Sequence, residues 1–260
     1  MSHHRDPPTS QRPRTRLSQR LVQVSRQLSR EVRGLEFGSP AAFVYNPLDY
    51  ARAPHEAYLH RYGNRQVRVV LVGMNPGPFG MAQTGVPFGD VAMVRDWLGI
   101  AAHVGTPASQ HPKRPIVGFR CTRREVSGSR LWGWAKASFG TPELFFAECF
   151  VINYCPLVFM DDSGRNITPD RLRPGERQPL FDACDGAVRQ VLAALRPASV
   201  VGIGRFATDR LRQALTAEGL PIRTLIHPSP ANPRAAANFA REATECLGKC
   251  GVKLPSTAPG

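Results

Sequence analysis

Lysine is the scarcest charged residue in this 260-residue chain: of 34 basic side chains only Lys113, Lys136, Lys249 and Lys253 are lysines. Arginine does not deprotonate at working pH, so chemistry that forms an imine with an aldehyde has few candidate amines here. Acid is short as well, with 20 Asp and Glu leaving a formal charge of +14. Such a surplus favours an anionic partner, nucleic acid first and an acidic lipid surface second. It is spread along the chain, because positions 1–34 hold eight arginines against Asp6 and Glu31 and the rest carries the remaining excess. Missing too is any apolar run of the roughly 20 residues needed to cross a bilayer, so no membrane association is expected. The six cysteines are scattered and follow no apolar-cored export signal, which implies free intracellular thiols. Only Cys246 and Cys250 lie close, one helical turn apart, without the tight ligand group of an iron–sulfur cluster, and no metal or cofactor is expected.

What is present reads as one α/β domain over 17–255, preceded by a polar, Arg- and Pro-rich tail over 1–16 that is expected to be disordered. Leu17, Leu21, Val24, Leu28, Val32 and Leu35 recur at three- or four-residue steps, the stripe of an amphipathic helix packed on a core. Short apolar strands are expected at 67–72, 149–154, 199–203 and 222–226, with helical pattern at 178–195 and 205–217. Strands of that kind between helices predict a three-layer α/β/α sandwich with a central four-stranded, mainly parallel sheet. Gly202-Ile203-Gly204-Arg205-Phe206-Ala207 imitates a dinucleotide fingerprint. With one strand left downstream and no acid about 20 residues on, tight strand–helix packing is the better reading.

The most specific stretch follows the first strand: 73–90, GMNPGPFGMAQTGVPFGD. With Gly77, Gly80, Gly85 and Gly89 among Pro76, Pro78 and Pro87, it continues neither as sheet nor as regular helix, so its backbone lines something at close range. A second unusual run, 227–233 (HPSPANP), follows the last strand. In open α/β sheets ligands bind beyond the carboxyl ends of the strands, and Asn75, Asn153 and His227 each stand at a different strand end.

These two runs, with VINYCPL at 151–157 and the segments 91–100, 111–115, 125–128 and 163–169, closely resemble the motifs of the single-strand-selective monofunctional uracil-DNA glycosylases, a branch of the uracil-DNA glycosylase superfamily. The likeness runs in order from about residue 40 to about residue 250. It implies a DNA repair enzyme that flips uracil out of DNA and hydrolyses its N-glycosidic bond, leaving an abasic site. By the resemblance Asn75 positions the attacking water and His227 stabilises the departing base. Phe88 stacks on that base, Asn153 reads its edge, and Met74, Gly77 and Met81 shape the pocket around C5. The chemistry agrees: an Asn amide can donate to uracil O4 and accept from N3–H, where cytosine offers the opposite pattern. Negative charge develops on O2 as the bond to the sugar breaks, so a donor there lowers the barrier.

Pro228, Ser229, Pro230, Ala231, Asn232 and Pro233 resemble the wedge that fills the space of a flipped base, stiffened by its prolines. In the vertebrate pattern Arg commonly holds the position of Ala231; the smaller tip implies weaker plugging of duplex DNA, with Arg234 a partial substitute. Lys113, Arg114 and the Ser127-Gly128 turn are candidate phosphate contacts. The expected partner is uracil-containing DNA, single- or double-stranded, bound by a monomer. The arginine bias favours a bacterial cytoplasm or nucleoid, or the nucleus if the source is eukaryotic. Whether 5-hydroxymethyluracil is also removed stays open. So do a base preference shifted toward hypoxanthine or xanthine, and a nucleic-acid-binding protein of the same fold without catalysis.

Overall fold

Runs of Val, Ile and Leu that can be buried on both faces become the middle of the molecule, and the periodic segments between them become its covers. The computed structural model describes residues 15–255. It opens with α1 (Arg16–Arg33), β1 (Phe43–Tyr45), α2 (Pro47–Tyr50), α3 (Arg52–Tyr62) and β2 (Val69–Gly73). There follow α4 (Met81–Thr84), α5 (Val126–Phe139), α6 (Pro142–Glu148), β3 (Cys149–Asn153), β4 (Val158–Met160) and β5 (Asn166–Ile167). The last part is α7 (Pro174–Leu195), β6 (Ser199–Ile203), α8 (Arg205–Ala214), β7 (Ile222–Leu225) and α9 (Pro233–Lys249). Helix α1 starts at the expected stripe: Thr15 caps it by accepting from the Ser18 N–H at 3.1 Å, so the helix takes in Arg16, the last residue assigned to the tail. The rest of that tail, 1–14, lies outside the described residues.

The central sheet has four strands in the order β3-β2-β6-β7, every neighbouring pair parallel. All five residues of β2 and of β6 are buried, as a doubly covered parallel sheet requires. Helices α1, α3, α7 and α8 pack on one another, and α5 packs on α6 and α9, giving the two covering layers. One hydrophobic core joins α1 through α9, with Trp132, Tyr58, Phe145 and Phe150 among its fully buried side chains. Strands β4 and β5 join the earlier β1 in a small antiparallel sheet, β1-β4-β5, which the sequence reading did not anticipate. No helix among the described residues is long and apolar enough to cross a membrane.

The order of these strands places a site. The chain leaves β2 for one sheet edge and later returns to β6 on its other side, so the crevice at their carboxyl ends is a topological switch point. Gly202, from the dinucleotide-like run, explains how close the layers come: a Cβ there would lie 2.4 Å from the Thr208 hydroxyl and 2.5 Å from its backbone nitrogen. That glycine serves strand–helix packing.

Candidate active site

At those carboxyl ends lies a cavity of about 320 Å³ walled by Met74, Asn75, Gly77, Met81, Phe88, Asn153 and His227, among others. Every residue expected to bind the base or act on it is therefore in one wall. The sheet register does part of this, since Gly73 of β2 pairs directly with Asn153 of β3. Gly73 also has no room for a side chain: its Cβ would stand 2.5 Å from the Phe88 ring and 2.6 Å from Asn153 Oδ1. The ring and the amide thus meet over a bare backbone. A smaller cavity of about 70 Å³ shares Met81 and Asn153 but is otherwise walled mainly by core side chains such as Leu21, Leu59 and Phe150.

Phe88 holds a left-handed backbone, φ +54, which is rare for a residue with a large side chain. Its carbonyl is pressed on by α5, where a Cβ at Gly128 would fall 2.0 Å from the Phe88 oxygen. Gly128, expected at the DNA backbone, is instead buried, and its missing side chain lets α5 seat the loop. Trp132 Nε1 donates to the Pro87 carbonyl at 3.2 Å and fixes the same turn. The Phe88 ring centroid stands 6.3 Å from that of His227.

Three polar groups are left pointed at work. The Asn75 amide nitrogen donates to the Leu157 carbonyl at 3.2 Å, and its buried Oδ1 has no hydrogen-bond partner in the protein. Leaving a buried acceptor unpaired is costly unless a ligand or water completes it. The Asn153 amide nitrogen lies 3.2 Å from the Met81 sulfur, a weak acceptor that a stronger one can replace. His227 accepts from the Ser229 N–H at 3.1 Å through Nδ1, which assigns the ring proton to Nε2. Burial lowers its pKa to about 4, so the ring is neutral and Nε2–H is a fixed donor near pH 7.

Sequence reasoning missed two residues, one in the cavity wall and one that holds the loop carrying His227. Glu125, at the start of α5, lines the cavity with its carboxyl 2.6 Å from where a Gly77 Cβ would be. Desolvation raises its pKa, helped by the charge of Asp90 and opposed by hydrogen bonding to Ser127. Arg130, one turn further along α5, donates through Nη1 to the carbonyls of Pro228 at 2.9 Å and Ser229 at 3.1 Å. Asp90, the only carboxylate of the 73–90 loop, is spent on backbone amides, accepting from Met93 N at 3.3 Å and Glu125 N at 3.1 Å. The EVSG segment was visible in the sequence, but nothing local signals that its first residue turns inward.

Of the expected wedge, Pro230, Ala231 and Pro233 are exposed, whereas Pro228 is buried. Asn232 is not free to enter a duplex: it caps α9 by accepting from Arg234 N at 3.2 Å and donates to the His227 carbonyl at 3.2 Å. Arg234 is exposed and pairs with Glu242 at 3.2 Å. Lys113 is exposed, Arg114 is half-buried, and Ser127 and Ser229 lie in the cavity wall.

The sequence profile of the Uracil DNA glycosylase superfamily matches residues 60–248. The single-strand selective monofunctional uracil DNA glycosylase of Bos taurus is 45% identical over 238 residues, which cover 91% of this chain and 88% of that one. The protein of the same description from Rattus norvegicus is 44% identical over 238 residues, covering 91% of this chain and 86% of its own. In three dimensions, the crystal structure of wild-type Pedobacter heparinus SMUG2 aligns with a TM-score of 0.68 at 18% identity, over 90% of this chain and 98% of that one, a likeness of fold. With the profile spanning most of the chain and such relatives covering nearly all of it, this protein belongs to the single-strand-selective monofunctional branch of the uracil-DNA glycosylase superfamily.

Proposed function

We propose that the protein removes uracil from DNA by hydrolysis of the bond between N1 and the sugar, without forming a covalent bond to it. The observation that carries this is the buried Asn75 Oδ1 with no protein partner, in the same cavity as a neutral His227 whose proton is held on Nε2. The extruded base stacks on Phe88 and offers O4 and N3–H to Asn153. As the bond breaks, its electron pair passes into the uracil ring and charge gathers on O2, where the Nε2–H donates. A water held by Asn75 Oδ1 adds its oxygen to C1′ of a sugar that already carries positive charge, and its proton passes to solvent. An amide is no base, so the water adds late. None of the four lysines lines the cavity, which supports the monofunctional reading. Action on DNA implies an intracellular site, the cytoplasm or nucleoid of a bacterium or the nucleus of a eukaryote. The protein acts as a monomer.

The test is base release from matched oligonucleotides bearing uracil, 5-hydroxymethyluracil, hypoxanthine or xanthine, single- and double-stranded, by wild type and His227→Ala. Expected are uracil release, a loss of about 100- to 1,000-fold in the variant, and an abasic strand that stays intact until alkali is added. Release indifferent to His227 would overturn the mechanism. Preferential release of hypoxanthine or xanthine would replace the substrate.

A further inference from the structure

The rim of the cavity carries two cations converging on one ring. Phe79 sits between Pro78 and Gly80, both in the cavity wall. The Arg123 guanidinium carbon lies 4.5 Å from the Phe79 centroid and that of Arg114 lies 5.3 Å from it. The two charges therefore stand no more than about 10 Å apart, about one Debye length at 0.1 M salt, and repel one another. Among the described residues neither has a carboxylate in an ion pair. Arg114 Nη1 donates to the Lys113 carbonyl at 2.8 Å, while its Nε is buried without a partner. Arg123 is exposed. The ring attracts both cations and orders them, yet among the described residues Arg114 Nη2 and the forked donors of Arg123 have no protein partner.

Two guanidiniums at this spacing with no carboxylate between them suit an anion that has more than one acceptor oxygen. We propose that Arg114 and Arg123, carried on the Phe79 ring, clamp a phosphodiester of the nucleic-acid backbone at the mouth of the base cavity. The identity of the polyanion rests on the glycosylase reading; the clamp itself rests on the geometry. The forked donors of Arg suit phosphate oxygens, and the contact is blind to sequence. Because Phe79 belongs to the loop that walls the cavity, the phosphate is that of the extruded nucleotide or of its immediate neighbour. The clamp therefore holds the strand at the point where the base must turn out. Arg123 is a contact that neither its sequence context nor its neighbours had suggested.

The test uses the full chain. Binding to uracil-free oligonucleotides is measured by anisotropy across a salt series, and uracil release at saturating DNA is measured beside it. The variants are Arg123→Ala, Arg123→Glu, Arg114→Ala, the double alanine variant and Phe79→Leu. Arg65→Ala, exposed and just before β2 at the far end of the sheet, is the control. Each alanine is expected to reduce the slope of log affinity against log salt by about 0.7–0.9, and the double variant by about twice that. Phe79→Leu keeps both charges, so it lowers affinity with the slope intact. Release at saturation is read in wild type and in Arg65→Ala, so that the glycosylase reading is tested apart from the clamp. Arg123 is exposed and tolerates replacement, so an unchanged slope in Arg123→Ala, or a loss no larger than in Arg65→Ala, overturns the clamp. If wild type binds with the expected slope losses but releases no uracil, the clamp stands and the glycosylase reading falls. If it releases uracil and the slopes do not move, the clamp falls and the reading stands.

Discussion

Gly73 answers two demands, ending a strand and leaving space for both the Phe88 ring and the Asn153 amide. Gly73→Ala is expected to displace Phe88 or Asn153, because the new Cβ would lie within 2.6 Å of each. Misplacing a reacting group by about 1 Å costs on the order of 100-fold, so single-turnover uracil release should fall by about that much while circular dichroism stays native. For His227 the sign follows from its depressed pKa. Between its ordinary 6.5 and about 4 the unfolded chain binds a proton that the folded one refuses, so stability falls as pH drops through that window and is complete above it. The ring should titrate near 4 by NMR, and it should add no inflection to the release rate between about pH 5 and about pH 8. A midpoint near the ordinary value would mean that the ring is solvated. Glu125 runs the other way among carboxyls: burial raises its pKa, so the ionised form carries a penalty above that pKa which vanishes below the ordinary carboxylate range. Glu125→Gln should raise the melting temperature at neutral pH, by roughly 2–4 °C per kcal/mol relieved, and leave it unchanged in acid. A gain that persists in acid would contradict the assignment.

The elements hold these residues through a few long-range ties. Helix α5 is the most important, because its first turn supplies Glu125 and Ser127 to one wall and its second reaches across to the loop that carries His227. Arg130→Ala removes both bonds to that loop and should slow uracil release about tenfold or more, given roughly 1.5–3 kcal/mol for a hydrogen bond to a charged group. Since Nη1 alone makes both bonds, Arg130→Lys should restore part of the rate. Equal losses in Ala and Lys variants would show that the guanidinium plane matters and not the tether. At the end of β3, Tyr154 donates to Asp185 at 2.6 Å while Arg210 bonds both, fixing the residue next to Asn153. Much of this scale was legible in the sequence. β6 falls at 199–203 as expected, and β2, β3 and β7 differ from expectation by one or two residues at their ends, since short apolar runs between turn signals leave little choice. Helix α7 begins at Pro174, earlier than its apolar pattern, because Pro is well placed in a first turn. The small sheet was not legible: β1 and β4 have three residues each and β5 has two, too few for any periodicity. Nor were the contacts of Arg130, whose partners lie 98 and 99 positions away. That Asn75, Phe88, Asn153 and His227 meet in one cavity was legible, because Asn75, Phe88 and His227 stand in runs of unusual Gly and Pro content after strands and Asn153 closes a strand; Glu125 precedes an ordinary helix and carries no such signal.

At the scale of the whole molecule the surplus of +14 matters for encounter and not for the bond-breaking step. Release at saturating DNA should therefore be nearly flat with salt, while kcat/KM should fall steeply, by about 0.7–0.9 in log–log slope for each phosphate engaged. A release rate at saturation that falls as steeply as kcat/KM would place the charge in the chemistry instead. The order of the strands has a consequence for how the protein is made. Residues 73–88 and 153 belong to β2, β3 and the loop between them, but His227 arrives only after β7, which pairs with β6 alone. During synthesis a chain that has emerged through β6 owns the groups proposed to hold a base and lacks the one proposed to expel it. On the proposed mechanism the ribosome delivers recognition before reactivity, and the capacity to release a base appears only with about the last eighth of the polypeptide.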